Sequence, residues 1–416
     1  MALQLLAPSI VPLVNTDRAP NGRPDPTRRL TVLLGAGASL YAGSPSTDDL
    51  TSIVAGREIS GAILRALRSR CETSAANFED VLHVLEELDA LLGTTRSRAP
   101  SMLRPLIEPS SILNGITIDS SLLRRERYEL LEAIAAAFDG IDYDSAWHVL
   151  YRLLRPLLDD FDIDFFTLNY DQVVDVAVYG LSMLSGKKLL DGFGQVIDME
   201  NSRLFRADQY AHWDPNWGPV HLTLQHVHGS LLFAYYGSDR RMAHATRFEL
   251  VRTESYEIAR RTWREATEAA AAHDLDFEGV VPIVSGLRKM EKLNVQPYAN
   301  YFAYLAHAVS ASPYLMIIGY GAGDEHINYW LREYTAIHGE AARVVEITQS
   351  DDSSRFTMQR FGAYDLQWTA VPGNNDAFTS HSGVPCLTIT GGITSGRSFE
   401  GRLDGLIRAR YEGTLD

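Results

Sequence analysis

Apolar positions along this chain fall into two alternating patterns. Short, mainly apolar runs occur at 30–34, 163–168, 279–286, 314–318 and 342–347, each closed by glycine or small polar residues, and they read as buried strands. Between them lie stretches with apolar residues three and four apart. In 77–92, Phe78, Val81, Leu82, Leu85 and Leu88 share one helical face, with Asn77 as N-cap and Asp80 at the capping-box offset. Segments 120–138, 145–158 and 255–273 show the same helical period, and 222–236 alternates like a strand pair around Gly229. The region from 298 reads as helix, strand, glycine turn and helix, with Gly339 as C-cap.

Strands alternating with helices predict an α/β fold, a Rossmann-like doubly wound parallel sheet. The helical periods between the first two strands predict a helical insertion over about 56–158. Residues 15–30 are rich in Pro, Arg and Asn, so 1–30 reads as an N-terminal arm. The body then covers 31–350, with 342–350 as its last strand. Residues 351–416, rich in Gly and Ser, form a C-terminal extension.

Composition narrows the function classes. The 416 residues are 45% hydrophobic, enough for a large core. With 38 basic against 53 acidic residues the formal charge is −15, which opposes a broad nucleic-acid-binding face. The start lacks a basic leader and is broken by Pro8 and Pro12, and no apolar run reaches the length of a membrane span. A protein of the reducing cytoplasm is expected. Cys71 and Cys386 are the only cysteines, half of what a four-cysteine zinc site needs.

Candidate chemistry gathers at strand ends, where open α/β sheets bind ligands. "FFTLNYD" ends an apolar run in Thr167, Asn169, Tyr170 and Asp171, which suit either a turn or a ligand site. "LLGAGAS" has two glycines of a dinucleotide turn, though Leu40 stands where the third would be. It is either a tight turn or a phosphate cradle. His226 and His228 form an H-x-H pair with no cysteine or carboxylate cluster beside it in sequence. His226 reads as a strand residue, and His228, before Gly229 and Ser230, can serve as a general base. In "IIGYGAGDEHIN", Asp324 is an N-cap or a ligand contact, and Asp324 with His326 lacks a third ligand at helical spacing. No metal is assigned.

In joint order, "GAGAS" at 35–39, "TLNYD" at 167–171 and "VHGS" at 227–230 resemble the sirtuin (Sir2) family. "NFEDVLHVLEEL", "VSGLRKMEKLNVQPY" and "IIGYGAGDEHINYWL" look like its bacterial antiphage-defence branch. The resemblance covers roughly 30–350. It implies NAD as substrate and an NAD glycohydrolase (NADase), a hydrolase releasing nicotinamide and ADP-ribose as an antiviral effector. The missing cysteines mean there is no zinc module, and they place the acyl-lysine tunnel of the deacylating sirtuins in doubt. A zinc-free deacylase and a non-catalytic NAD-binding scaffold are the alternatives.

Carried over by motif, Asn169 would orient water or ribose at the nicotinamide-bearing carbon, Asp171 would steady that loop or contact the nicotinamide side, and His228 would accept a proton. Gly35, Ala36, Gly37 and Ser39 would cradle the diphosphate, while Gly319, Tyr320 and Asp324 match a second nucleotide-contacting loop. Glu346 is a candidate for the adenosine ribose. The implied assembly is a homo-oligomer or a complex with a HerA-like DNA translocase (an ATPase) or a short Argonaute.

Overall fold

The structure is a computed structural model. It describes residues 28–70, 76–92, 120–199, 202–207, 222–236, 249–272, 297–350, 357–358, 368–370, 377–380, 386–390 and 400–412. Its strands are β1 (Arg28–Leu34), β2 (Phe161–Thr167), β3 (Leu189–Leu190), β4 (Phe193–Met199), β5 (Ser202–Ala207), β6 (Leu222–His226), β7 (Phe233–Tyr236), β8 (Glu249–Thr253), β9 (Tyr314–Ile318), β10 (Arg343–Ile347), β11 (Trp368–Ala370), β12 (Ala377–Ser380) and β13 (Cys386–Ile389). Its α-helices are α1 (Thr47–Ala55), α2 (Glu58–Arg70), α3 (Phe78–Leu92), α4 (Ser120–Ala136), α5 (Tyr143–Leu154), α6 (Val173–Ser185), α7 (Tyr256–Ala272), α8 (Tyr298–Ala311), α9 (Glu325–His338) and α10 (Glu400–Glu412).

Among the described residues nine strands form one sheet in the order β11-β12-β13-β10-β9-β1-β2-β6-β3. From β13 to β3 all neighbours are parallel, and only the β11–β12–β13 edge is antiparallel. The central strands are predominantly apolar because both of their faces are covered. Leu30, Val32 and Leu34 of β1, Phe165 of β2 and Met316 and Ile318 of β9 pack into one core with α1–α6 and α10. Leu33, Phe166, Leu315 and Ile317 point the other way, against α8 and α9. Each such fully buried side chain contributes roughly 1.5–3 kcal/mol. The Rossmann-like α/β expectation therefore holds in its essential feature, a parallel sheet with helices on both faces.

Chain direction across this sheet reverses at β1. After β1 it runs outward to β2 and β6, then returns to β9 on the opposite side of β1. The carboxyl ends of β1 and β9 thus mark the switch point of a doubly wound sheet.

Helices α1–α5 lie between β1 and β2. The expected cap of α3 is present, with Asn77 N–H donating to Asp80 and Glu79 N–H to the Asn77 carboxamide. Gly339 ends α9 with a positive φ.

Two expectations differ from the structure. Arg343–Ile347 does not close the sheet, since β13 pairs beside it in parallel and lies in the segment read as an extension. Segment 222–236 is not a hairpin, because β6 belongs to the large sheet while β7 joins a separate antiparallel sheet, β4-β5-β8-β7. The strand pattern was visible but its partners are distant in sequence. The expected strand at 279–286 and most of the N-terminal arm lie outside the described residues. Among the described residues no helix is long and apolar enough to cross a membrane.

Candidate functional site

At the switch point two loops meet backbone to backbone. The N–H of Gly35 donates to Ile318 O at 2.9 Å, continuing the β1–β9 ladder, and the N–H of Gly37 donates to Gly319 O at 2.9 Å. A Cβ on Gly35 would lie 2.7 Å from Gly319 O, and one on Gly37 would lie 2.7 Å from Gly319 Cα. Gly319 itself has φ +61°. These glycines are needed so that the loops can touch. Their amides are already engaged. Ala38 and Ser39 N–H close local turns onto Gly35 and Ala36.

The loop after β1 then turns Ser39 and Ser44 inward toward the end of β2. Ser39 Oγ donates to Asp171 Oδ1 at 3.0 Å, Ser44 Oγ to Asp171 Oδ2 at 2.9 Å, and the Val173 N–H to Asp171 Oδ1 at 2.9 Å. Burial raises the Asp171 carboxyl above its ordinary range, and these three donors oppose that shift. Asp171 thus fastens the β1 loop to the start of α6. Ser44 was not foreseen from the sequence, which offers only its proximity to the glycine turn.

Asn169 lies in the same buried cluster. Its Nδ2 donates to Ser39 Oγ at 2.8 Å, while its Oδ1 is buried with no hydrogen-bond partner among the described residues. The amide orientation follows from its neighbours. The single Ser39 proton goes to Asp171, so Ser39 can only accept from Asn169, and the carboxamide oxygen is left facing outward from the pair. An unmet buried acceptor costs about 1–3 kcal/mol, a cost that a ligand donor would relieve.

His228 stands two residues past the Thr167–His226 register pair, at the position matching Asn169 on β2. The Val227 N–H donates to Thr167 O, and the Leu231 N–H to Tyr170 O, so the two strand ends stay together beyond the sheet. His228 Nε2 is 2.9 Å from His326 Nε2 and 3.8 Å from Asp324 Oδ1. This contact joins the loop after β6 to the loop after β9, which spans the ends of β1 and β2. His226 instead holds Asp175 of α6 at 2.9 Å, so the rings of the H-x-H pair serve different partners.

The loop after β9 is built from its own side chains. The Tyr320 hydroxyl donates to Asn328 Oδ1 at 2.6 Å and accepts from the Asp324 N–H, while Asn328 Nδ2 donates to Ala322 O. Ala322 is held at φ 58°. Tyr320 therefore shapes this loop rather than offering its hydroxyl outward. Asp324 occupies the N-cap position of α9, yet its side chain makes no capping bond. From the helical insertion, Glu79 of α3 accepts from the Tyr170 hydroxyl at 3.1 Å. Burial, then the charges of Glu79 and Asp324, raise that hydroxyl well above its ordinary range.

Glu346, the candidate for the adenosine ribose, makes backbone contacts at the end of β10. It is buried, and its oxygens accept the N–H groups of Thr357 at 2.6 Å and Met358 at 3.3 Å. Thr357 in turn donates its hydroxyl to Tyr320 O. Glu346 ties the chain after β10 back to the β9 loop, a fixed role that the strand-end position could not reveal.

No protein-family model matches this chain, and no curated protein matches it. Solved structures of Sir2 homologues align along most of its length. A mutant Sir2 homologue with ADP-ribose is 11% identical, with TM-score 0.37, over 93% of this chain and 94% of that one. A Sir2 homologue–NAD complex is 10% identical, with TM-score 0.37, over 94% and 91%. Sir2Tm bound to a propionylated peptide is 10% identical, with TM-score 0.31, over 82% and 88%. The α/β assignment made above rests on strand order and register, independently of these likenesses.

Proposed function

We propose that the chain binds NAD at the switch point and hydrolyses its nicotinamide–ribose bond. The observation that carries this reading is Asn169. Its buried carboxamide oxygen has no partner among the described residues, and its orientation is fixed by Ser39 and Asp171. Breaking a nicotinamide–ribose bond builds positive charge on the sugar and releases a neutral base. A fixed carbonyl dipole can stabilise that charge or hold the attacking water without rearranging during the step.

In this reading His228 takes the proton from the attacking water or from a ribose hydroxyl. Asp171 acts at one remove, through Ser39. Gly35, Gly37 and Gly319 close the loops over the site, and Ala36 and Asp324 are the remaining candidates to meet the nucleotide from those loops. Glu346 and Tyr320, engaged as described, are left out of ligand contact. The reading extends to an effector of antiphage defence that acts as an oligomer or with a translocase or Argonaute partner. The exposed apolar side chains of Met183, Leu184, Tyr329 and Ile337 support assembly.

The test is incubation of purified protein with NAD and separation of the products. Nicotinamide and ADP-ribose in equal amounts are expected, and Asn169→Ala, at an unchanged unfolding midpoint, should lower turnover by at least about two orders of magnitude. NAD binding without turnover would favour the scaffold alternative. Parental turnover in Asn169→Ala would remove the role given to that residue.

A further inference from the structure

We propose that His228, Asp324 and His326 form a binding site for a divalent transition-metal ion of the zinc class. The sequence offers Asp324 and His326 only as a pair lacking a third ligand, and the fold supplies it from the loop after β6. One ligand atom from each residue lies within 4.8 Å of the others. A tetrahedral ion bound at about 2.0–2.1 Å has ligand atoms about 3.3 Å apart. The two measured edges, 2.9 Å between the imidazole Nε2 atoms and 3.8 Å from His228 Nε2 to Asp324 Oδ1, bracket that value.

Two nitrogens and one carboxylate oxygen suit zinc, cobalt or nickel better than magnesium or calcium, which take oxygen ligands. Three protein ligands leave a fourth position for water or a ligand. Both histidines are buried, whereas the Asp324 side chain is 17% exposed, which gives an approach from its side. Its carboxylate makes no cap to α9. The surrounding loop is held by Tyr320 and Asn328, which limits the rearrangement that binding requires.

In the metal-free pair one imidazole donates its Nε2–H to the other. Binding requires both Nε2 lone pairs, so the donating ring shifts to its Nδ1–H tautomer by exchange with water. Metal binding and proton acceptance by His228 Nε2 therefore exclude each other. That consequence alone rests on the NAD-cleavage reading, and the site stands without it.

The test uses the full chain, stripped with a chelator and titrated with Co2+ alone, then with Zn2+ as competitor, in the absence of NAD. The expected result is a visible cobalt absorption of tetrahedral type that saturates near one ion per chain and is displaced by zinc. His326→Ala and Asp324→Asn should each weaken cobalt binding by at least about tenfold, while His148→Ala, an exposed histidine on α5, leaves it unchanged. X-ray absorption of the zinc-loaded parental protein needs no variant to fold and should show two imidazoles with oxygen ligands only. No saturable cobalt signal, a sulfur ligand, or binding untouched by both variants would overturn the proposal. NAD turnover is measured separately. If cobalt binds as described but turnover is unaffected, the base role of His228 fails while the site stands.

Discussion

Gly319→Ala tests the loop contact on which the candidate site depends. The new Cβ would overlap the backbone of Gly37 and Ala38 and would hold alanine at φ +61°. A left-handed backbone costs an L-residue roughly 1–2 kcal/mol, and forced overlap of packed groups typically adds about 1–3 kcal/mol. If the loops part to relieve the overlap, the Gly37 N–H to Gly319 O bond is lost, at roughly 1 kcal/mol. A destabilisation of about 4 kcal/mol is expected from these effects together. Three companion variants separate them. Gly186→Ala, at the C-cap of α6, adds only the left-handed backbone, with open space around it, and should cost about 1 kcal/mol. Gly37→Ala adds only overlap and should cost about 2 kcal/mol. At Gly321 a Cβ meets nothing within 4 Å, so alanine there should stay within about 0.5 kcal/mol of the parent. Urea unfolding followed by circular dichroism gives the four midpoints. If Gly319→Ala unfolds with the midpoint of Gly321→Ala, the two loops do not pack as described.

Ser39→Ala removes a donor from Asp171 and the acceptor of the Asn169 amide, so it should cost about 1–3 kcal/mol and also lower NAD turnover at least about tenfold. Parental stability and turnover together would contradict the cluster. Tyr320→Phe should cost about 1–2 kcal/mol and speed hydrogen exchange at the Asp324 amide, and unaltered exchange there would show that the hydroxyl does not hold the loop. Glu132 joins α4 to α7 through Arg260 and Arg264, and its carboxyl is lowered to about 2, first by the Arg260 hydrogen bond. Because the folded value lies below the unfolded one, this stabilisation is present above the ordinary carboxyl range and fades as pH falls toward 2. Solvent screening of a partly exposed group holds it to roughly 1 kcal/mol. Glu132→Gln should therefore be less stable than the parent at neutral pH and equal to it near the acid limit, and a gap that persists undiminished in acid would refute the ion-pair account.

The sequence by itself determined the parallel core. Runs such as 30–34, apolar but for Thr31, and 314–318 need a strand covered on both faces to be buried, and the intervening helical periods supply the covers. Capping at Asn77 and Gly339 was likewise legible, because caps act within a few residues of themselves. The residue types at the strand ends were visible too, but not what they touch. Only the tertiary structure decided that Gly35 and Gly37 make room for Gly319, that Ser39 and Ser44 converge on Asp171, and that Glu346 holds Thr357 and Met358. It also brought His228 to His326, 98 residues away, and set β13 beside β10. The physical reason is range. Periodicity and capping record interactions between near neighbours, whereas strand order and loop contacts arise when distant segments compete for the same buried face, and no local pattern encodes which of them meet.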